Sequence, residues 1–199
     1  MTLSSLTSRL RVGDPLLAPC AELAVARRML SAFDARDAAQ EEFRQRMLAL
    51  IDRHPNVAHL RSTLEGHLTA SALIVDERRT CALLTHHRKL DKWLQMGGHC
   101  DGDANLAGVA LRECIEESGI AELAVLPTPI DLDVHPIPAR PGEPEHLHYD
   151  TRFVVVAPER STFAVSDESH ALAWVRPDEL ERYRPDASLR RLFELVFGA

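Results

Sequence analysis

Residues 97–120 read GGHCDGDANLAGVALRECIEESGI, a glycine-rich segment that runs into a helical pattern. Asp103 is the predicted N-cap of this helix and Gly119 its predicted C-terminal stop, because these residue types favour those positions. At 100° per residue, one arc of the helix carries the apolar positions Leu106, Ala107, Ala110 and Cys114. A neighbouring arc carries Glu113, Glu116 and Glu117. The stretch therefore predicts a helix with one apolar and one acidic face.

Three carboxylates on one arc raise the question of a cation. Like charges three or four residues apart destabilise a helix by roughly a few tenths of a kcal/mol per pair. Mg²⁺ prefers oxygen ligands and leaves positions open for phosphate oxygens, so it would offset this repulsion. Acidic faces are more often simply solvated, however, and Arg112 and Glu116 have the spacing of an ordinary i,i+4 ion pair. Helix geometry alone leaves both interpretations open.

The same stretch resembles the Nudix box, whose pattern is G-x5-E-x7-R-E-U-x-E-E-x-G-U, where U is a bulky apolar residue. The residues that fill this pattern in register are Gly98, Arg112, Glu113, Glu116, Glu117, Gly119 and Ile120. The box spans 23 residues, and the WLQMGG lead-in and the later strands extend the likeness over about residues 65 to 185. The resemblance implies an α/β/α sandwich with a mixed β-sheet.

The resemblance also implies an activity, the metal-dependent hydrolysis of a diphosphate linkage in a nucleoside diphosphate derivative by a Nudix pyrophosphohydrolase. It implies Mg²⁺ or Mn²⁺ held by Glu116 and Glu117, with Glu113 completing the set or orienting the attacking water. Arg112 is expected to hold the glutamates by an ion pair. Nudix enzymes often take a general base from a distant loop, and Glu168 is the best placed in sequence.

One position departs from the pattern. Ala104 occupies the place of the first glutamate of the box, so one carboxylate of the usual set is missing. We expect Asp101 or Asp103 to substitute for it. Two alternatives stay open, a catalytically silent Nudix-like nucleotide-binding module and an isomerase acting on a diphosphate-bearing isoprenoid. Ala104 favours the first, while the second would need a catalytic cysteine such as Cys100 or Cys114.

The rest of the chain divides into two parts. Residues 1–60 contain apolar positions at helical spacing and predict an N-terminal helical extension of two helices, and residues 61–199 form the predicted Nudix domain. The runs TASALIVD and TCALLTHH predict a β-hairpin around the turn at residues 76–79. Further strands are predicted at 130–137, 147–157 and 171–175, and helices from residue 177 and at 187–197.

Candidate substrate contacts flank the box. Gly97 and Gly98 allow close approach of the backbone, and His99 follows them directly. His148 and Arg152 lie on one face of a predicted strand, because strand side chains alternate. That face either contacts the phosphates or base of the substrate or is structural. A zinc site is not expected from the histidines, because their spacing is neither helical nor that of a hairpin.

The composition of the chain argues against some classes of binding partner. The 199 residues are 45% hydrophobic and 27% charged, with a formal net charge of −7 and no Lys/Arg-rich run, so long nucleic acid is not an expected partner. No apolar run has the length of a membrane span, and the start of the chain lacks the apolar core of a secretory signal, so we expect a cytoplasmic protein. Four cysteines without a CxxC pair indicate reduced, buried thiols. A homodimer is possible.

Overall fold

A single mixed sheet organises the chain in this computed structural model, which describes residues 8–140, 142–159 and 161–198. Within these residues the strands are β1 (Leu10–Arg11), β2 (Gly66–Asp76), β3 (Ala82–His87), β4 (Lys92–Leu94), β5 (Met96–His99), β6 (Ala124–Ile137), β7 (His146–Ala157) and β8 (Ser169–Val175). The main path of the sheet runs β1-β6-β7-β2-β3-β4. β5 pairs with β2, and β8 pairs with β3.

The sheet is mixed because β2 and β7 are parallel while the other described pairs are antiparallel. β2 splits its second edge between two partners. Its first half pairs with β5, from Thr69 opposite His99 to Ala72 opposite Met96. Its second half pairs with β3 at Ile74 and Val75, which gives the predicted hairpin. The glycine-rich segment therefore lies beside the centre of the sheet.

Helices cover both faces of the sheet, as the sequence predicted. The α-helices are α1 (Ala24–Ser31), α2 (Ala38–Arg53), α3 (Leu106–Ser118) and α4 (Ala187–Phe197), with short 3₁₀ helices at Pro15–Leu17 and Pro177–Tyr183. Leu68, Ala70 and Ala72 of β2 pack in one apolar core with α1, α2 and α3. Leu73 and Val75 point the other way and pack with α4. No helix in the described ranges is long and apolar enough to cross a membrane.

The capping of α3 differs from the prediction at its start and agrees at its end. Asn105, not Asp103, is the N-cap, and its side chain accepts a hydrogen bond from the Gly108 N–H at 3.3 Å. Asp103 lies two residues outside the helix and accepts the Asn105 N–H. Gly119 ends the helix in the left-handed conformation at φ 70°, which glycine adopts without strain.

The N-terminal part contains the two predicted helices, α1 and α2, and more. β1 adds a short edge strand to β6, so this part also contributes to the sheet. The predicted strand at 130–137 starts six residues earlier, at Ala124, with a change of register between Leu126 and Asp131. Pro127 and Pro129 lie in that irregular stretch. Prolines weaken a strand pattern because they lack a backbone N–H donor, which explains the missed start.

Candidate active site

The acidic face of α3 lies against the backbone of β5. The Gly97 N–H donates to the Glu117 carboxylate at 2.8 Å. A Cβ at Gly98 would overlap the carboxylate of Glu113, and one at Gly97 would overlap Ser71 on β2. Both positions therefore require glycine, and the close approach they permit places two carboxylates directly on the strand backbone.

The three glutamates differ in exposure. Glu117 is 7% exposed, while the Glu116 side chain is 64% exposed. Burial raises the pKa of Glu117 to about 8, and it also raises the pKa of Glu113. Carboxylates are rarely buried without a cation, because losing water disfavours the charged form. Carboxylate oxygens are the donors that a hard divalent cation prefers, so Glu113, Glu116 and Glu117 could hold one, although among the described residues their ligand atoms do not all lie within 4.8 Å of one another.

Arg112 contacts both the acidic residues of the site and the backbone of β5. Its Nη2 donates to the backbone carbonyl of His99 and to the Glu113 carboxylate, each at 3.2 Å. Its other nitrogens lie 3.6 Å from Asp103 and 4.0 Å from Glu116. The side chain is 38% exposed, and its contacts are with the carboxylates and with the strand that faces them. Arg112 therefore has the predicted place beside the glutamates, as the residue that orients them.

A cleft of about 490 Å³ opens in front of these residues. It combines part of α3 with the loop after β5 and one residue of the N-terminal part. Its lining residues are Pro19, Cys100, Asp101, Gly102, Asp103, Arg112, Glu113 and Glu116. Glu113 and Glu116 line the cleft, so a diphosphate bound there can reach these two carboxylates, whereas Glu117 is not among the lining residues.

Ala104 is buried beneath the N-terminal segment 14–20, which is not a feature the sequence suggested. The Ala104 N–H donates to the Cys20 carbonyl, and the Cys20 N–H donates to Asp103 at 3.0 Å. Asn105 donates to the carbonyls of Leu16 and Ala18 at 2.9 and 3.1 Å. The position of the first glutamate of the box is thus part of the core and has no access to the cleft.

The two candidates for replacing that glutamate have different surroundings. Asp103 is buried, with one oxygen accepting two backbone N–H groups and the other facing Arg112. Asp101 lines the cleft and is half-exposed, and its charge contributes to the raised pKa of Glu113. Arg61 donates to both Asp101 oxygens and lowers the pKa of that carboxyl group. Asp101 is therefore the ionised carboxylate available at the cleft.

Glu168 lies in the exposed turn just before β8. The chain leading to that turn packs on the end of α3, where the Ala164 N–H donates to the Ser118 carbonyl at 2.8 Å. The charge of Glu168 also contributes to the raised pKa of Glu117. The structure thus places this sequence-distant carboxylate at an exposed position from which its charge affects Glu117.

Arg152 has surroundings unlike those of a substrate contact. It is 3% exposed, and its three nitrogens bind Asp150, Asp131 and Asp133 at 2.7–3.3 Å. A further bond of 2.6 Å reaches Ser188 on α4. Alternation placed Arg152 correctly on the face of His148, but α4 covers that part of the face. Arg152 therefore links the sheet to α4. These buried surroundings give it a structural role in place of the predicted phosphate contact.

Histidines gather at the start of β2 and β7. His67, His146 and His148 each offer a ring nitrogen within 4.8 Å of the others. His99 joins them, with its ring centroid 5.0 Å from that of His67. The sequence disfavoured a histidine metal site because the spacing of the histidines is neither helical nor that of a hairpin, and it did not predict that His67 lies beside His148. Only the parallel pairing of His67 with His148 brings them together, and no local pattern reveals that pairing.

The cysteines have the predicted buried character where they come near the site. Cys100 and Cys114 are buried, and burial raises the pKa of both thiols well above the usual range. A protonated thiol is a poor nucleophile. Cys114 packs in the α3 core, as expected, and neither residue has the surroundings of a catalytic cysteine.

Comparisons with known proteins agree with this architecture. Residues 66–196 match the family model of the NUDIX domain. A C. elegans Ap4A hydrolase in a binary complex is similar, with 15% identity and a TM-score of 0.54 over 66% of this chain and 95% of that chain. A NUDIX-family hydrolase from Clostridium perfringens is similar, with 21% identity and a TM-score of 0.50 over 67% and 98% of the two chains.

RenU, a Nudix hydrolase from M. smegmatis, has 20% identity and a TM-score of 0.50, over 67% of this chain and 88% of that chain. At such identities the solved structures show a common fold and say nothing of the substrate of this chain. No curated protein sequence matches it. The family model covers the box and the strands β2 to β8, whereas β1, segment 14–20, α1 and α2 lie outside it.

Proposed function

Because this chain belongs to the Nudix family, we propose that it is a metal-dependent pyrophosphohydrolase that splits the diphosphate linkage of a nucleoside diphosphate derivative. The observation that carries the proposal is the burial of Glu117 and the half-burial of Glu113 against Gly97 and Gly98, with Glu116 beside them at the cleft. A cation would stabilise the ionised form of these carboxylates, which burial disfavours. A diphosphate is a ligand that such a cation shares with the protein.

The residues around the cleft have distinct roles in this proposal. Glu113, Glu116 and Glu117 hold Mg²⁺ or Mn²⁺. The Gly97 N–H fixes one oxygen of Glu117, and Arg112 fixes Glu113. When bound, the metal polarises the phosphate oxygens and lowers the pKa of water. Arg112 acts through the glutamates and not on the substrate.

Two further carboxylates complete the proposed site. Asp101 takes the place of the missing first glutamate, because it lines the cleft and Arg61 keeps it ionised. Glu168 is the proposed general base, since it is exposed and its charge affects Glu117. Gly98 lets the Glu113 carboxylate approach β5, and Gly97 donates its N–H to Glu117. His99 points to the opposite face of β5 and does not line the cleft, so it has no part in the proposed phosphate contacts.

Ala104 supports a second candidate, a Nudix-like module that binds a nucleotide without turning it over. A site with one carboxylate fewer has a weaker hold on its metals. The isomerase alternative has no such support, because Cys100 and Cys114 are buried and protonated. Hydrolysis and silent binding are therefore the two functions to separate.

A panel of substrates separates them. Nucleoside diphosphate sugars, dinucleoside polyphosphates, nucleoside triphosphates and diphosphate-bearing coenzymes are incubated with the protein and Mg²⁺ or Mn²⁺, and released mononucleotide or phosphate is measured. We expect turnover of one substrate class and its loss with EDTA. If the whole panel stays intact while a nucleotide binds in calorimetry, the silent binding module replaces the hydrolase.

A further inference from the structure

A second group of possible metal ligands lies outside the carboxylate site. Within the described residues, His67, His146 and His148 each have a ring nitrogen close enough to those of the other two to hold a metal ion. Their ring centroids are 5.0–5.2 Å apart. His67 is 2% exposed and His146 is 7% exposed. Three imidazoles in contact in the interior need a physical explanation, because buried polar groups are normally paired.

The buried ring nitrogens of this group have no partner. The Nε2 atoms of His67, His99, His146 and His148 make no hydrogen bond within the part of the chain that the structure describes. An unpaired buried acceptor or donor costs about 1–3 kcal/mol. Four such atoms in one cluster of rings would be a large penalty for a purely structural cluster. A shared cation removes it.

The protonation of the rings suits a metal. Burial lowers the pKa of His67 to about 4 and that of His148 to about 2, so both are neutral near pH 7. Nδ1 of His146 lies 2.9 Å from the Pro144 carbonyl, which can only accept a hydrogen bond. Nδ1 therefore carries the proton, and the lone pair is on Nε2. A carbonyl on the far nitrogen is the usual arrangement for a histidine that binds a metal.

The strand register separates this group from the carboxylates. His99 and Thr69 are paired on β5 and β2, and His67 lies two residues before Thr69 on the same face. Gly98 points the other way, toward Glu113 on α3. The histidine group and the glutamates thus lie on opposite faces of β5. They can be occupied independently.

We propose that His67, His146 and His148 form a second metal site, which binds Zn²⁺ or a similar first-row transition ion and is distinct from the Mg²⁺ or Mn²⁺ site. Three imidazoles suit Zn²⁺, whereas Mg²⁺ prefers oxygen. A tetrahedral ion with Zn–N bonds of about 2.0–2.1 Å needs ring nitrogens roughly 3.3 Å apart. The three ring nitrogens, now within 4.8 Å of one another, would have to move closer to reach that distance, and His99 lies beside His67 and His148.

The charges around the group favour a cation overall. Glu143 lies 3.7 Å from Nε2 of His146, on the loop that precedes β7. The charge of Arg61 lowers the pKa of His67 and of His99, and Arg61 itself forms an ion pair with Asp101. Asp133 is hydrogen-bonded to His135, which lies behind His148.

Zinc titration of the metal-free protein tests this site. The full chain is stripped with EDTA, dialysed, and supplied with excess Mg²⁺ to fill the carboxylate site, and ZnCl₂ binding is measured by calorimetry. We expect one Zn²⁺ per chain, with affinity at least about tenfold weaker in His67→Gln and in His148→Gln. Co²⁺ in place of Zn²⁺ should give the visible absorption of a tetrahedral, nitrogen-ligated ion.

Two controls make the outcome decisive. His86→Gln changes a histidine that stacks on Trp93 outside the group and should bind Zn²⁺ like wild type. Glu117→Gln should also keep its Zn²⁺ while losing the proposed hydrolase activity, which separates the two metal sites. Absence of Zn²⁺ binding by wild type, or unchanged binding in folded His67→Gln, overturns the proposal. If a histidine variant does not fold, the Co²⁺ spectrum decides the matter, because nitrogen ligation distinguishes the histidine group from the carboxylates.

Discussion

Glu117 is an acidic residue whose buried surroundings disfavour its charged form. It is almost fully buried, its partner is the neutral Gly97 N–H, and Glu168, Glu113 and Glu116 add negative charge around it. Burial is the main reason that its pKa rises from 4.5 to about 8. In the absence of a cation, the folded protein thus holds a proton on Glu117 that the unfolded chain releases near pH 4.5.

This raised pKa predicts how the metal-free protein responds to pH. Because the folded state binds the proton more tightly, Glu117 stabilises the fold most below pH 4.5, and this contribution is lost as pH rises toward 8. In EDTA, the melting temperature of wild type should therefore fall relative to that of Glu117→Gln between pH 5 and 8. Mg²⁺ added at pH 8 should restore it in wild type.

The Gln variant is the matched control, since its side-chain oxygen can still accept the Gly97 N–H while the titrating group is gone. Glu113, whose pKa is also raised, and the histidines, whose pKa values are lowered, affect both proteins alike. Parallel melting curves for the two proteins across this pH range would show that Glu117 is not the buried, titrating carboxyl described here.

Single residues were predictable where their partners are local in sequence. Glu113, Glu116 and Glu117 share one helix, so their common face followed from helix periodicity alone. His67 was missed because its neighbour His148 lies on a parallel strand far along the chain. Arg152 was assigned to the correct face, but the sequence does not show that α4 covers it.

The start of α3 and the N-terminal segment 14–20 form one packed unit. The backbone of the segment bonds to Asp103, Ala104 and Asn105, and the Leu17 carbonyl lies so close to Gly108 that a Cβ there would meet it at 3.0 Å. A glutamate at position 104 would have to enter the core beneath this segment. The alanine and the segment are therefore structurally linked.

Ala104→Glu should destabilise the protein by at least about 2 kcal/mol. Position 104 is fully buried, so the larger side chain overpacks the core or brings an unpaired charge into it. Chemical denaturation followed by circular dichroism measures the effect. Ala39→Glu, on the exposed face of the first turn of α2, is the matched control and should change stability by less than about 0.5 kcal/mol.

Stability of Ala104→Glu equal to that of Ala39→Glu would contradict the packing of segment 14–20 on α3.

The sequence predicted α1, α2, α3 and α4, because helix periodicity and capping residues are local signals. It did not predict the docking of segment 14–20. That contact includes hydrogen bonds between the backbone of the segment and the side chains of Asp103 and Asn105, more than 80 positions away, which leave no periodic pattern.

Across the whole protein, the sheet separates the carboxylates of α3 from the histidine group. α3 brings the carboxylates to one side of β5, and the histidine group lies on the other side, at the start of β2 and β7. α4 closes the rest of that second face through Arg152 and the apolar core around Leu73. The fold class followed from the box and its flanking strands, whereas the assignment of each face required the strand register.

Loss of metal-dependent turnover in Glu117→Gln tests the central claim most directly. The substrate identified by the panel is hydrolysed by wild type, Glu117→Gln and Glu194→Gln under the same Mg²⁺ concentration, where Glu194 is an exposed residue of α4. We predict that kcat falls by about a hundredfold or more in Glu117→Gln alone, because one ligand of the buried cation is lost. Equal turnover by Glu117→Gln and wild type would contradict the assignment of α3 as the metal-binding element.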